Sequence, residues 1–492
     1  MLETREAFSM TQHYSSEVPQ AAEAPRLGLP ALTALVVGST IGGGIFALPT
    51  NVAVSAAPGP MLVGWAISAV GMLALVLVFQ MLANRRPDLN TGIYAYAKAG
   101  FGNFMGFSSA WGYWISAFIG TVSYFVLMGS TIGQFVPAFG QGNTAVAIGF
   151  ASALLWGIHL LVSRGIRTAA SLNVITTVGK VVPLILFVIL SVLAFRFDVF
   201  TADFWGKASP DLGSTLDQIK AMMMVTVWVF IGIEGASTYS SRAARRSDIG
   251  KGTVLGFLLT LFLLVSVNVL SMGIMSQQEL AGLQDPSVAY VLEAVVGPWG
   301  AWLIRIGLLI SLLGAMLAWT LLCTEILYAA AKDKEMPRFL ARENAHGVPT
   351  GALLTTNLTV QLFLLITYFN DSTYLTLLYL ASATILLPYL FSAGYGLMVA
   401  SRDRYASTGE RTRDLLTAGL AVLYALWLLY AAGPQYLLLS SLLYAPGALL
   451  FVKARREQGL QVFKPWELGL LALLTLAALY AAYGLKSGFL TL

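Results

Sequence analysis

Three consecutive glycines, Gly42, Gly43 and Gly44, sit in the middle of the chain's first long apolar run, within Gly38-Ser39-Thr40-Ile41-Gly42-Gly43-Gly44-Ile45-Phe46. Each loses about 1 kcal/mol of helix propensity relative to alanine. Unwinding there bares backbone groups that lipid cannot satisfy. Such a break is tolerated where protein or a water-filled cavity meets the freed groups, and the half-helix ends then make a site for a small charged solute. A second interruption, Gly232-Ile233-Glu234-Gly235, lies in a later apolar run. Two broken helices in a matching arrangement point to a secondary transporter.

Composition fixes the class. The 492 residues are 57% hydrophobic and 11% charged, with a mean hydropathy of +0.75. Runs of the ~20 residues needed to cross a bilayer recur from residue 30 to the end. Thirteen are expected, centred near residues 42, 71, 120, 153, 183, 230, 263, 310, 359, 386, 423, 443 and 475. The one cysteine, Cys323, excludes an intramolecular disulfide framework. The polar first 28 residues hold no apolar stretch of a signal peptide, so they read as a cytoplasmic tail.

Charge gives an expected orientation. With the N-terminus inside, alternate connections carry most of the 29 Lys and Arg, in clusters such as Arg85, Arg86 and Lys98, or Lys332, Lys334, Arg338 and Arg342. By the positive-inside rule the N-terminus is cytoplasmic and the C-terminus outside. The net charge of +5 is explained by these loops and needs no nucleic-acid partner. The expected fold is all-α and integral to the membrane. Residues 29–197 form one repeat (spans one to five) and 198–401 an inverted second (spans six to ten). Residues 402–492 add three accessory spans, and the broken first and sixth spans pair.

The motifs themselves carry a resemblance. Gly38-Ser39-Thr40-Ile41-Gly42-Gly43-Gly44-Ile45-Phe46-Ala47-Leu48-Pro49 resembles the first-span signature of the amino acid–polyamine–organocation (APC) superfamily. Val227-Trp228-Val229-Phe230-Ile231-Gly232-Ile233-Glu234-Gly235-Ala236-Ser237 resembles the sixth-span signature of its basic amino acid/polyamine antiporter family. Tyr113-Trp114, Trp319-Thr320-Leu321-Leu322 with Lys332-Asp333, and Pro388-Tyr389-Leu390 fit as well. Within that family the likeness is to the bacterial arginine/ornithine antiporters. It implies a leucine-transporter-like 5+5 inverted repeat in the bacterial inner membrane and exchange of arginine, ornithine or lysine. A homodimer is implied too, although no interface motif stands out. No cofactor is expected.

The chemistry fits a cationic amino acid. Its carboxylate suits the amides freed at Gly42, Gly43 and Gly44, where a half-helix N-terminus adds partial positive charge. Its ammonium suits the carbonyls of Thr40, Ile41, Trp228 and Ile231. The plainer alternative is that the glycines only allow close helix packing, although three in a row exceed what packing requires. Trp228 and Trp319 are candidates to present ring faces to the side-chain cation, worth about 0.5–2 kcal/mol. By the resemblance they hold substrate and close a gate, and Ser116, Thr121 and Ser382 line the side-chain pocket. Relatives that take arginine and agmatine carry serine in place of Gly43 and asparagine in place of Thr121, so the pocket chemistry here is altered.

Three residues stand out as gating or coupling groups. Glu234 puts a carboxylate in an unwound span, a functional candidate by default. The alternative is that neighbouring amides satisfy it with no role in the cycle. Lys180 in span five resembles the tethered substitute for sodium of some relatives, bridging the first span to span eight, with snorkelling to the inner interface as the alternative. Tyr389 completes the set through its motif. Glu325, near an inner span end, is explained as well by snorkelling or capping as by a role in the cycle, and Arg305 in the outer half of span eight reads as structural or as a vestibule charge. No phosphate loop, nucleophile elbow or metal spacing occurs, which leaves an enzyme, a channel or a non-transporting sensor as weaker classes. A proton-coupled or facilitative transporter of lysine or another amino acid is the alternative function.

Overall fold

A computed structural model describes residues 28–89, 92–165, 169–234, 245–370 and 373–490. The N-terminal tail, Arg167, Gly235 to Ser237 and Arg242 lie outside the described residues. Every regular element among those described is helical. In chain order the helices are α1 (Leu29–Thr40), α2 (Gly44–Ala53), α3 (Pro58–Arg85), α4 (Ile93–Phe101), α5 (Asn103–Gly133) and α6 (Ala145–Ser163). Next come α7 (Ala169–Ala194), α8 (Phe197–Thr201), α9 (Thr215–Phe230), α10 (Arg246–Ile274), α11 (Gln277–Ala281) and α12 (Ser287–Val296). The last six are α13 (Pro298–Lys332), α14 (Thr350–Phe369), α15 (Tyr374–Arg402), α16 (Thr408–Tyr444), α17 (Gly447–Arg456) and α18 (Pro465–Ser487).

Ten of the described helical runs are long and apolar enough to cross a membrane, and the bent pair α1–α2 makes an eleventh. This is the architecture of an integral membrane protein. The helices differ in what they face. α5 is buried along nearly its whole length, with α13 and α15 packed against it, so it forms the axis of the molecule. α18 buries few side chains and shows Leu473, Leu476, Leu479 and Tyr483 outward, as expected of a helix bathed in lipid. At about 1.5 Å per residue, the 35 residues of α13 exceed a ~30 Å hydrocarbon core, so its end projects beyond it.

Local chemistry sets the helix ends. α9 begins on a capping box in which Ser214 Oγ accepts from the Asp217 amide at 3.2 Å and the Asp217 carboxylate accepts in return. α16 is interrupted at Gly433, whose φ of +71° is followed by Pro434. A left-handed residue and a missing N–H together break the ladder there.

Candidate functional site

α1 stops at Thr40 and α2 starts at Gly44, the two halves meeting at a 48° bend. Ile41 is extended (φ −76°, ψ 93°), and the Gly42 amide donates back to the Thr40 carbonyl at 3.0 Å. One carbonyl expected to be open is therefore occupied. α9 ends at Phe230, and Ile231 (ψ 133°) and Gly232 (φ +102°) turn the chain away. The Trp228 carbonyl accepts from the Ile231 amide at 3.2 Å. A side chain at Gly232 would meet a left-handed backbone and lie 2.8 Å from the Ser39 carbonyl oxygen. The two breaks touch: Ser39 Oγ donates to the Gly232 carbonyl at 3.1 Å.

The three glycines of the first break face side chains at close range. An added Cβ at Gly42 would collide with the Tyr124 hydroxyl; at Gly43 it would lie 2.7 Å from Leu127, and at Gly44 2.9 Å from Trp228 Nε1. The faces above the break are aromatic. Tyr124 and Trp228 ring centres are 5.7 Å apart, Tyr124 and Trp319 6.1 Å, and Trp228 and Trp319 6.3 Å. Trp228 donates its indole N–H to the Tyr374 hydroxyl at 2.8 Å, which ties the ring to α15. The absence of a side chain at Gly120 lets Trp228 lie flush on α5, since a Cβ there would be 2.8 Å from the ring.

Glu234 is buried (5% exposed) and is gripped by two helices and by its own backbone turn. Tyr113 of α5 donates to Oε1 at 2.6 Å, Tyr389 of α15 to Oε2 at 3.2 Å, and its own Gly232 amide to Oε1 at 3.2 Å. Hydroxyl and amide donors make the carboxylate tolerable in a dry interior. Lys180 is also buried, and its ammonium donates to the Gly38 carbonyl in the last turn of α1. It thus braces the first break from α7; among the described residues no bond from it to α13 is seen.

The remaining candidates divide. Ser116 is fully buried and its hydroxyl has no partner among the described residues. Thr121 bonds its own helix at the Ala117 carbonyl (3.0 Å) and Thr40 does so at Val36 (2.8 Å). Ser382 donates across to the Met224 carbonyl of α9 at 2.8 Å. Tyr124 and Tyr374 were not among the expected residues, and Ser39 and Tyr113 were known only as parts of motifs. A tyrosine in an apolar span carries no signal of its own until its partner is visible.

With this geometry in view, comparison with known proteins is decisive. The profile of the amino acid permease family matches residues 27–444. The chain belongs to the amino acid permease family. The permease is 60% identical over 475 residues to a Pseudomonas aeruginosa protein named arginine/ornithine antiporter, covering 95% of this chain and 98% of that one. It is 44% identical over 489 residues to an L-lysine transport protein of Corynebacterium glutamicum, covering 96% and 97%. An arginine/agmatine antiporter of Chlamydia abortus shares 40% identity over 438 residues, covering 88% and 90%. The permease is therefore a transporter and not an enzyme.

Proposed function

We propose that the permease exchanges arginine for ornithine across a bacterial cytoplasmic membrane by alternating access. The observation that carries this reading is the meeting of two helix breaks at the Ser39–Gly232 bond, beneath the rings of Tyr124, Trp228 and Trp319. The substrate carboxylate binds at the amides of Gly42, Gly43 and Gly44, and its ammonium at the carbonyls of Ile41 and Ile231. Its side-chain cation lies against Trp228 and Trp319, with the free Ser116 hydroxyl and those of Thr121 and Ser382 along the pocket. To admit it, the Tyr124 hydroxyl and the Trp228 ring must swing off the glycines, which breaks the bond to Tyr374. Glu234, with Tyr113 and Tyr389, and Lys180 couple that movement to the two breaks.

In this reading the chain has thirteen spans. The bent pair α1–α2 counts as the first and α9 opens the sixth, while the run 408–456 divides at Gly433. Residues 29–197 and 198–401 are inverted repeats, 402–492 are accessory, and the N-terminus is cytoplasmic with the C-terminus outside. Arginine and ornithine carry the same charge. A membrane potential, worth about 2.3 kcal/mol per charge per 100 mV, therefore neither drives nor opposes the swap. Likeness to a lysine transport protein favours lysine as a second substrate.

Counterflow in proteoliposomes tests the proposal. Labelled arginine should enter vesicles loaded with ornithine or lysine, without sodium and regardless of imposed potential. Equal uptake into empty vesicles that grows with a proton gradient would overturn exchange in favour of proton coupling, and binding without flux would point to a sensor.

A further inference from the structure

The connection between α10 and α13 carries a carboxylate that the exchange reading leaves without a task. Its two short helices sit over the end of α2. Thr50 Oγ1 donates to the Leu280 carbonyl at 2.9 Å, the Thr50 amide to Ser287 Oγ at 3.2 Å, and Gln277 Nε2 to the Ala53 carbonyl at 2.7 Å. Asp285 occupies the turn between α11 and α12. Its carbonyl accepts from Ser130 Oγ of α5 at 2.8 Å, which anchors the turn to the central helix. The residue as a whole is half-buried, but its Oδ1 is enclosed and has no hydrogen-bond partner among the described residues.

The anchor Ser130 lies six residues along α5 from Tyr124, about 9 Å, and Tyr124 packs on Trp228 with ring centres 5.7 Å apart, the indole that Tyr374 holds. The Asp285 turn is therefore anchored within about two helical turns of the aromatic lid over the first break. Three basic groups among the described residues of this side have other neighbours. Arg305 lies 3.9 Å from Glu293 and 5.3 Å from the centre of the Tyr290 ring. Lys220 pairs with Asp217 at 3.0 Å, and Arg196 donates to the Ile274 carbonyl at 3.1 Å. Burial pushes the Asp285 carboxyl up to about 7, and no ion pair to it is seen among the described residues. An enclosed acid oxygen without a partner is costly, and a visiting cation would relieve that cost.

We propose that Asp285 is an entry station that takes the guanidinium or ammonium of the substrate before the Trp228 lid opens. This rests on the reading that the substrate is a cationic amino acid. A charged station ahead of the main site raises the local concentration of an oppositely charged solute and its rate of arrival. It acts from one face of the membrane only, and the saturated rate does not depend on it.

The test is arginine uptake from each face: intact cells present one, inverted membrane vesicles the other, both loaded with ornithine. The Asp285→Asn variant should raise the KM for arginine about tenfold on one face only, the loss of one charge-assisted hydrogen bond, with the maximal rate kept. Asp285→Glu should recover most of the affinity. A KM unchanged on both faces, or raised equally on both, would overturn the station, as would a reduced maximal rate at constant KM. If Asp285→Asn does not accumulate, wild-type protein gives the answer. Raising ionic strength should weaken arginine uptake on one face more than on the other, and equal effects would overturn the proposal. Failure of ornithine to drive arginine uptake in the wild type would sink the exchange reading itself, whereas wild-type exchange with an indifferent Asp285→Asn sinks only this inference.

Discussion

Glu234 and Glu335 are both buried carboxylates, 5% and 2% exposed, and their partners are opposite in kind. Glu234, between the two helix breaks, is held by the hydroxyls of Tyr113 and Tyr389 and by a backbone amide. Glu335, just past the end of α13, is held by ions: Lys98 of α4 at 3.1 Å and Arg455 of α17 at 3.9 Å. Around it Tyr94 donates to Asp333 at 3.1 Å and Gln458 to the Lys334 carbonyl at 2.9 Å. Full charges lock three segments together at the helix ends. Neutral donors at the centre grip a charge while leaving each bond cheap to exchange. A carrier needs both, a rigid frame and a middle that can rearrange.

The sharpest way to break this contrast is to fill the middle. Gly42→Val would drive a side chain into Tyr124, and ornithine-driven arginine uptake should fall at least about 100-fold, equivalent to ~2.7 kcal/mol. Uptake near wild type would mean that the break does not handle substrate. At the frame, Lys98→Met leaves Glu335 with only the more distant Arg455. Thermal unfolding in detergent should show a loss of about 2 kcal/mol, below the full cost of an orphaned buried charge because Lys98 is partly exposed. Glu234→Gln should do the reverse, leaving the melting temperature nearly unchanged while exchange turnover drops about tenfold. Equal losses of stability in these two variants would erase the distinction.

The smallest effect is a pH dependence. Burial raises the Glu335 carboxyl above its ordinary 4.5, and Lys98 and Arg455 pull it back only in part. The native state then holds that proton more tightly than the unfolded chain does. Its contribution to stability is present at low pH and is lost as pH rises through the raised value. Melting curves of wild type and Glu335→Gln should thus diverge as pH rises from 4.5, by less than about 1 kcal/mol, with the wild type losing ground. A constant difference would contradict the assignment.

Much of the centre was legible in the sequence because its signals are local. Three adjacent glycines in an apolar run announce a break, and Glu234 in such a run announces a buried charge. What grips them was not. Tyr113 and Tyr389 are 121 and 155 positions from Glu234, and Ser39 is 193 from Gly232; only the packing of α5, α9 and α15 makes them neighbours. The frame was hidden for another reason. Lys98 and Arg455 read as ordinary inner-loop charges, and nothing local pairs them with Glu335. Span boundaries suffered where one helix is short. α9 has only 16 described residues, and α16 runs on through its Gly433 kink, so hydropathy alone divides these regions less firmly than the rest.

The most direct test of the central claim, that the first break receives the substrate, is isothermal titration of ornithine into purified wild-type protein and Gly42→Val. The account predicts saturable binding to the wild type and none to Gly42→Val, compared at a temperature where both are folded because the added side chain also lowers the melting temperature. Equal affinity in the two would contradict it, because glycines that only pack helices would leave the ornithine site intact.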